Sequence, residues 1–381
     1  MASKDPAFEL PHPRENPWMV GHAHAQAGFI EEFARGQVHH AYLMTGAKGI
    51  GKATLAYRFA RHVLSAGAQE VKVEEAPSMS LFGDEPVPST KHQAPSTSFL
   101  DMDPESSLFR RIAAGSHTDL LALHPAYDAK KGVEKDIITV EEARQVPEFL
   151  SLTPAEGLWR VVIIDAVDQL NDNAANALLK ILEEPPARAM LFLVCHQPGA
   201  ILPTIRSRCR TLKLAAPTQT QFSQILSQLA PAIATHDHAA LYALSHGSPG
   251  YAITLAQENA LKWYEGWLGA MQPGAGVEVR QKFAESVGAQ KSPATWDAVI
   301  HTWNIAMQRL TLYPHYDASK PILRREGELL ASIAAATGLL QRTGWMEEGT
   351  RLIRETETFN LDKRYTIRLL ADAGQMERLA A

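Results

Sequence analysis

Apolar residues gather in five short runs over residues 1–215: Ala41 to Thr45, Leu120 to Leu123, Val161 to Asp165, Leu191 to Cys195 and Leu212 to Leu214. The run Val161-Val162-Ile163-Ile164 has no alternation with polar positions, the pattern of a strand buried in a sheet. Between the runs the spacing turns helical, after residue 53 and at about 139–152 and 171–184. Strands alternating with helices predict an α/β fold with a parallel, doubly wound sheet and ligands at the carboxyl ends of the strands. Beyond Pro217 the pattern changes. Thr218 reads as the cap of a helix running to about 230, two more helices follow near 237–245 and 249–260, and from about 263 every apolar stretch keeps helical spacing, as in Trp296, Val299, Ile300, Trp303, Ala306 and Met307.

Two stretches lack either period. Residues 1 to about 18 hold Pro6, Pro11, Pro13 and Pro17 and are expected to lie extended over the surface. Residues 68–105 mix Pro, Ser and acidic positions and read as a flexible insertion.

The first strand leads into Gly46-Ala47-Lys48-Gly49-Ile50-Gly51-Lys52, with Ala53 and Thr54 opening the next helix. Gly46, Gly49 and Gly51 let backbone N–H groups curl round phosphate oxygens, Lys52 adds a cation, and the helix N-terminus adds its dipole. Strand, loop and helix in this order predict a nucleotide site. Ala53, however, stands where a Ser or Thr hydroxyl would hold magnesium. Asp165, at the tip of the third run, is placed to bind a metal, but Ala166 follows it where a Glu base is needed. Asp168, nearby, reads as a solvated or helix-capping carboxylate rather than a base. The fourth run ends in Cys195, followed by His196. Arg208 lies in Ile205-Arg206-Ser207-Arg208-Cys209.

The run Val161 to Asp165, the helix Asn171 to Glu184 ending in Pro185-Pro186, and Ser207-Arg208-Cys209 together resemble the AAA+ subunits of bacterial DNA clamp loaders. The likeness covers roughly the first 260 residues. It implies an AAA+ P-loop domain over 1–215 with the insertion at about 68–105, a helical lid domain over 216–262, and an all-helical collar domain over 263–381 that joins subunits in a ring. It also implies that Arg208 is an arginine finger, catalytic in trans on a neighbour's phosphates, and that Val20, Gly21 and His40 lie near the adenine. Partners implied are ATPase subunits of the gamma/tau type, a delta subunit, and indirectly the sliding clamp and primed DNA. Tyr251 occupies a segment, Gly247 to Ala252, where relatives often present a sensor arginine. The resulting expectation is a non-hydrolysing stator that holds ATP or ADP without turnover and has no activity alone. The alternative is an active motor-type ATPase using Asp165 and Thr54.

Composition narrows the rest. Relatives often carry a four-cysteine zinc module, but this chain has two cysteines, Cys195 and Cys209, so no zinc is expected. The 15 histidines include His22, His24, His39 and His40 without ligand-spaced partners, and read as solvated or core residues. A net charge of −5 gives no global pull on DNA phosphates. With no long apolar run and no secretory leader, the expected location is the cytoplasm.

Overall fold

The computed structural model describes residues 10–74, 100–125, 127–128, 133–134, 137–290, 292–316 and 321–372. They form two compact units, Pro11–Pro217 and the chain from Thr218 on.

The first unit is built on five parallel strands, β1 (Ala41–Thr45), β2 (Leu120–Leu123), β3 (Arg160–Asp165), β4 (Ala189–Cys195) and β5 (Arg210–Lys213). Their spatial order is β2-β3-β4-β1-β5, the crossover arrangement of a doubly wound α/β sheet. Side-chain alternation sorts the sheet into two cores. Tyr42, Met44, Val161, Ile163, Phe192 and Val194 face one way, onto Leu55, Phe59 and Val63 of helix α2 (Lys52–Glu74) and onto Phe29 of helix α1 (Ala23–Ala34). Leu43, Val162, Ile164, Leu191 and Leu193 face the other, onto Val146 and Leu150 of α4 (Val140–Ser151) and Leu178 and Leu182 of α5 (Asp172–Glu183). Asn171 caps α5 by accepting from Ala174 N, and the prolines after Glu184 end it. Between β1 and β4, Thr45 pairs with Cys195, so the glycine loop and His196 leave the sheet side by side.

Three expectations need adjustment. The edge strand β5 begins at Arg210 rather than Leu212, because backbone pairing with β1 extends it through charged positions that face solvent. Helix α2 continues to Glu74, past the expected start of the insertion, and Leu100 at its far end is buried; residues 75–99 lie outside the described residues. Residues 14–17 do not rest loosely on the surface. α2 carries two buried arginines, Arg58 donating to Pro17 O (2.7 Å) and to Asp101 (2.7 Å), and Arg61 donating to Arg14 O (2.7 Å) and Asn16 O (3.2 Å). Backbone carbonyls thus satisfy guanidinium groups that would otherwise be buried without acceptors. A further helix, α3 (Ser107–Ala113), adds Phe109 beneath Arg61, whose guanidinium carbon lies 4.4 Å from the ring centre.

Leaving β4, the chain makes the single turn α6 (Pro203–Arg206) before β5. The second unit is helical: α7 (Gln219–Leu229), α8 (His238–Leu244), α9 (Pro249–Gln257), α10 (Ala260–Ala270), α11 (Val277–Gly288), α12 (Pro293–Thr311), α13 (Glu326–Ala336), α14 (Leu339–Phe359) and α15 (Lys363–Leu370). Thr218 caps α7 in a reciprocal box with Gln221. One apolar core runs from Phe222 to Ala371 and holds Trp263, Trp267, Trp303 and Trp345. Inside it the Glu326 carboxylate is fully buried and accepts from the Tyr264 hydroxyl, Arg309 Nη1 (2.6 Å) and Ile322 N (2.8 Å). Among the described residues no helix is long and apolar enough to cross a membrane.

Candidate functional site

The glycine loop has the backbone its sequence requires. Gly46, Gly49 and Gly51 all have positive φ, at 148°, 82° and 93°, where side chains are rarely tolerated. A Cβ on Gly46 would stand 2.5 Å from Leu214 O and 2.7 Å from Ile50 Cδ1, so this glycine is also a close-packing position.

Lys52 opens α2 and is 2% exposed. Its ammonium bends back to donate to Gly46 O (2.8 Å) and Ala47 O (2.6 Å), closing the loop on itself. Burial lowers its pKa to about 8, opposed by the negative charge of Asp165. The segment before α1 lies over the loop. Met19 Cε comes within 3.1 Å of the position a Gly51 Cβ would take, and His22 Nε2 donates to Ile50 O (2.8 Å). Burial holds the His22 pKa below its ordinary value, so the ring acts as a neutral donor. Val20 and Gly21 lie between these two contacts, with Gly21 O accepting from Gln26 (2.9 Å).

His40 is not. It precedes β1 while the loop follows it, and five extended residues separate the two by roughly 15–20 Å. Instead of approaching an adenine beside Gly46, its Nε2 donates to Leu182 O at the end of α5 (3.1 Å).

At the strand ends, Asp165 is half-buried, and His196 Nε2 stands 4.0 Å from its Oδ1. Burial, aided by the Lys52 charge, pulls the His196 pKa down to about 4. The ring is therefore neutral near pH 7, and this contact is not an ion pair. Asp168 accepts from His196 N (2.9 Å) and Gln197 N (3.1 Å), pinning the turn that follows β4. It acts as a cap for these backbone amides. Cys195 is completely buried in β4, which leaves His196 as the polar strand-end residue. Ala53 packs partly against the core below the loop, and Thr54 is half-buried beside it.

Both thiols are held protonated by burial, Cys195 with its pKa pushed up to about 11 and Cys209 to about 12. Among the described residues no group of three or more His, Cys, Asp or Glu side chains is arranged to hold a metal. Within the second unit, Tyr251 is half-buried with its ring edge-on to His301 at 5.0 Å.

Arg208 follows α6 with 34% of its side chain exposed. Its Nη2 pairs with Glu183 at 2.7 Å and its Nη1 donates to Thr204 O at 3.0 Å. The guanidinium therefore reaches solvent but is tied within its own chain. Arg210 pairs with Glu32. Arg206 lines a cavity of about 570 Å³ with Leu43, Gly46, His196 and Lys213.

The family model described as "DNA polymerase III, delta subunit" matches residues 21–218. The chain is similar to the DNA polymerase III subunit delta' of Pseudomonas aeruginosa, at 31% identity over 224 residues, which are 59% of this chain and 58% of that protein. It is similar to the subunit delta' of Escherichia coli K12 at 32% identity over 230 residues, 60% of this chain and 58% of that protein. The subunit tau/gamma of Haemophilus influenzae is 28% identical over 211 residues, 55% of this chain and 25% of that protein. The match thus spans about 58% of the length of the delta' relatives.

Proposed function

Because this chain belongs to the DNA polymerase III delta subunit family, whose model covers residues 21–218, we propose that it is a clamp-loader subunit of the delta' type. It does not turn over ATP itself and presents Arg208 to a triphosphate held by a neighbouring subunit. The observation that carries this reading is an asymmetry between two sites on one sheet. At the loop, Ala53 supplies no hydroxyl for magnesium and Ala166, 2% exposed, supplies no base after Asp165. At Arg208, an always-charged planar fork reaches solvent.

The loop's three positive-φ glycines and Lys52 fit the phosphates of ATP or ADP, with Gly46, Gly49, Gly51 and Lys52 as the holding residues and Val20, Gly21 and Thr54 beside them. To bind, Lys52 exchanges the carbonyls of Gly46 and Ala47 for phosphate oxygens. Asp165 is a carboxylate that would meet a magnesium ion at this strand end, and His196 beside it is neutral, so a nucleotide held here meets few groups that could activate water. The partners are ATPase subunits of the gamma/tau kind, a delta subunit, and through them the sliding clamp on primed DNA.

In a complex assembled with such ATPase subunits, Lys52→Ala is expected to leave ATP turnover within about two-fold of the unmodified complex, since the loop it disarms does no hydrolysis. Steady-state phosphate release at saturating ATP checks this. A loss comparable to that caused by the same substitution in an ATPase partner counts against the proposal.

A further inference from the structure

Two acceptors on two different elements grip the Arg208 guanidinium. Glu183, the last residue of α5, takes Nη2 at 2.7 Å, while Thr204 O on α6 takes Nη1 at 3.0 Å, with Ser207 Oγ 3.4 Å from the same nitrogen. Both elements are anchored in the same apolar core, α5 through Leu178 and Leu182 and α6 through Ile205. The end of α5 is further fixed by the His40 ring, which donates to Leu182 O beside Glu183. A planar group held at both terminal nitrogens cannot rotate about its long axis. A guanidinium has five N–H donors, so these contacts leave others directed elsewhere. Only the loss of the Glu183 contact would free the plane, because Thr204 O is backbone and stays.

We propose that Glu183 is a positioning residue: its carboxylate orients the Arg208 guanidinium toward a phosphoryl group held by another subunit. This rests on the reading of Arg208 as a finger in trans. Pre-orientation is effective because catalytic electrostatics depend on donors already aimed at the developing charge. Both partners are well exposed, so the contact is weak and its removal is expected to lower turnover by only about two- to five-fold. The opposite role, a carboxylate that withholds the arginine from phosphate, predicts a rise.

The test uses the assembled complex in which the ATPase sites not served by this chain are silenced by substitution of their own loop lysines. Glu183→Ala should reduce kcat two- to five-fold with KM for ATP unchanged. Glu183→Gln, whose amide oxygen still accepts from Nη2, should restore most of the lost rate. In the Arg208→Ala background Glu183→Ala should have no further effect. Turnover unchanged or raised in Glu183→Ala, a Gln variant as slow as the Ala variant, or an equal loss without Arg208 overturns the positioning role. If Arg208→Ala itself leaves turnover intact, the finger reading fails and takes this inference with it. If Arg208→Ala slows turnover and Glu183→Ala does not, only the positioning role is lost.

Discussion

Replacing Arg208 with Ala is expected to leave the chain folded and assembled while slowing ATP turnover at the neighbouring site it serves by about 10³-fold or more, the scale on which arginine fingers act. The expectation follows from where the charge sits. Arg208 is surface-accessible and contributes to its own fold an exposed pair with Glu183, worth roughly 0–1 kcal/mol, and an exposed hydrogen bond to Thr204 O, so its loss has little structural consequence. A transferring phosphoryl group, in contrast, spreads negative charge over its outer oxygens, and a guanidinium fork meets two of them at once. Single-turnover hydrolysis, with the other ATPase sites silenced and assembly verified by gel filtration, gives the rate directly. A rate within two-fold of the unmodified complex contradicts the role.

The second large effect concerns the helical unit. Glu326→Ala is expected to destabilise it by about 3–5 kcal/mol, because it leaves Arg309, 14% exposed, facing the buried site without its carboxylate. Tyr264 loses its acceptor in the same step, and burial, the largest cause of its raised pKa, still opposes its ionising to replace the missing charge. Five of the seven tryptophans, Trp263, Trp267, Trp296, Trp303 and Trp345, lie in this core, so their fluorescence reports its unfolding in urea. A midpoint shift equivalent to less than 1 kcal/mol at unchanged slope contradicts the importance of the network.

Much of the sheet was legible because its strands obey a local rule. Residues 161–164 and 190–194 are buried on both faces, and such strands read as unbroken apolar runs wherever they occur. β5 was harder for the same reason reversed: an edge strand needs no apolar pattern, and Arg210 and Lys213 are exposed in it. The Thr218 cap was legible because a capping residue stands just ahead of a helical pattern. The glycine loop was legible because its torsions demand glycine.

What escaped were contacts between residues distant in the chain. Nothing local in Arg58 or Arg61 signals that their guanidinium groups are matched by the carbonyls of residues 14–17. The role of Asp168 depends on β3 and β4 ending side by side, which brings its carboxylate under His196 N. His22 and Met19 gave no sign beyond their nearness to Gly21, yet they form the contacts that cover the loop. His40 was placed near the adenine by the family resemblance, whereas it stands at the opposite end of β1 from the glycine loop, bonded to Leu182 O. The Glu183 partner of Arg208 became visible only once α5 and α6 were seen to meet.

The claim on which the whole reading turns is that this chain cannot cleave its own nucleotide. The direct measurement is magnesium-dependent ATP hydrolysis by the purified chain, alongside its Lys52→Ala variant. The account predicts phosphate release indistinguishable from background and identical in the two proteins. Appreciable turnover that disappears in Lys52→Ala contradicts it and makes the chain a motor ATPase in its own right.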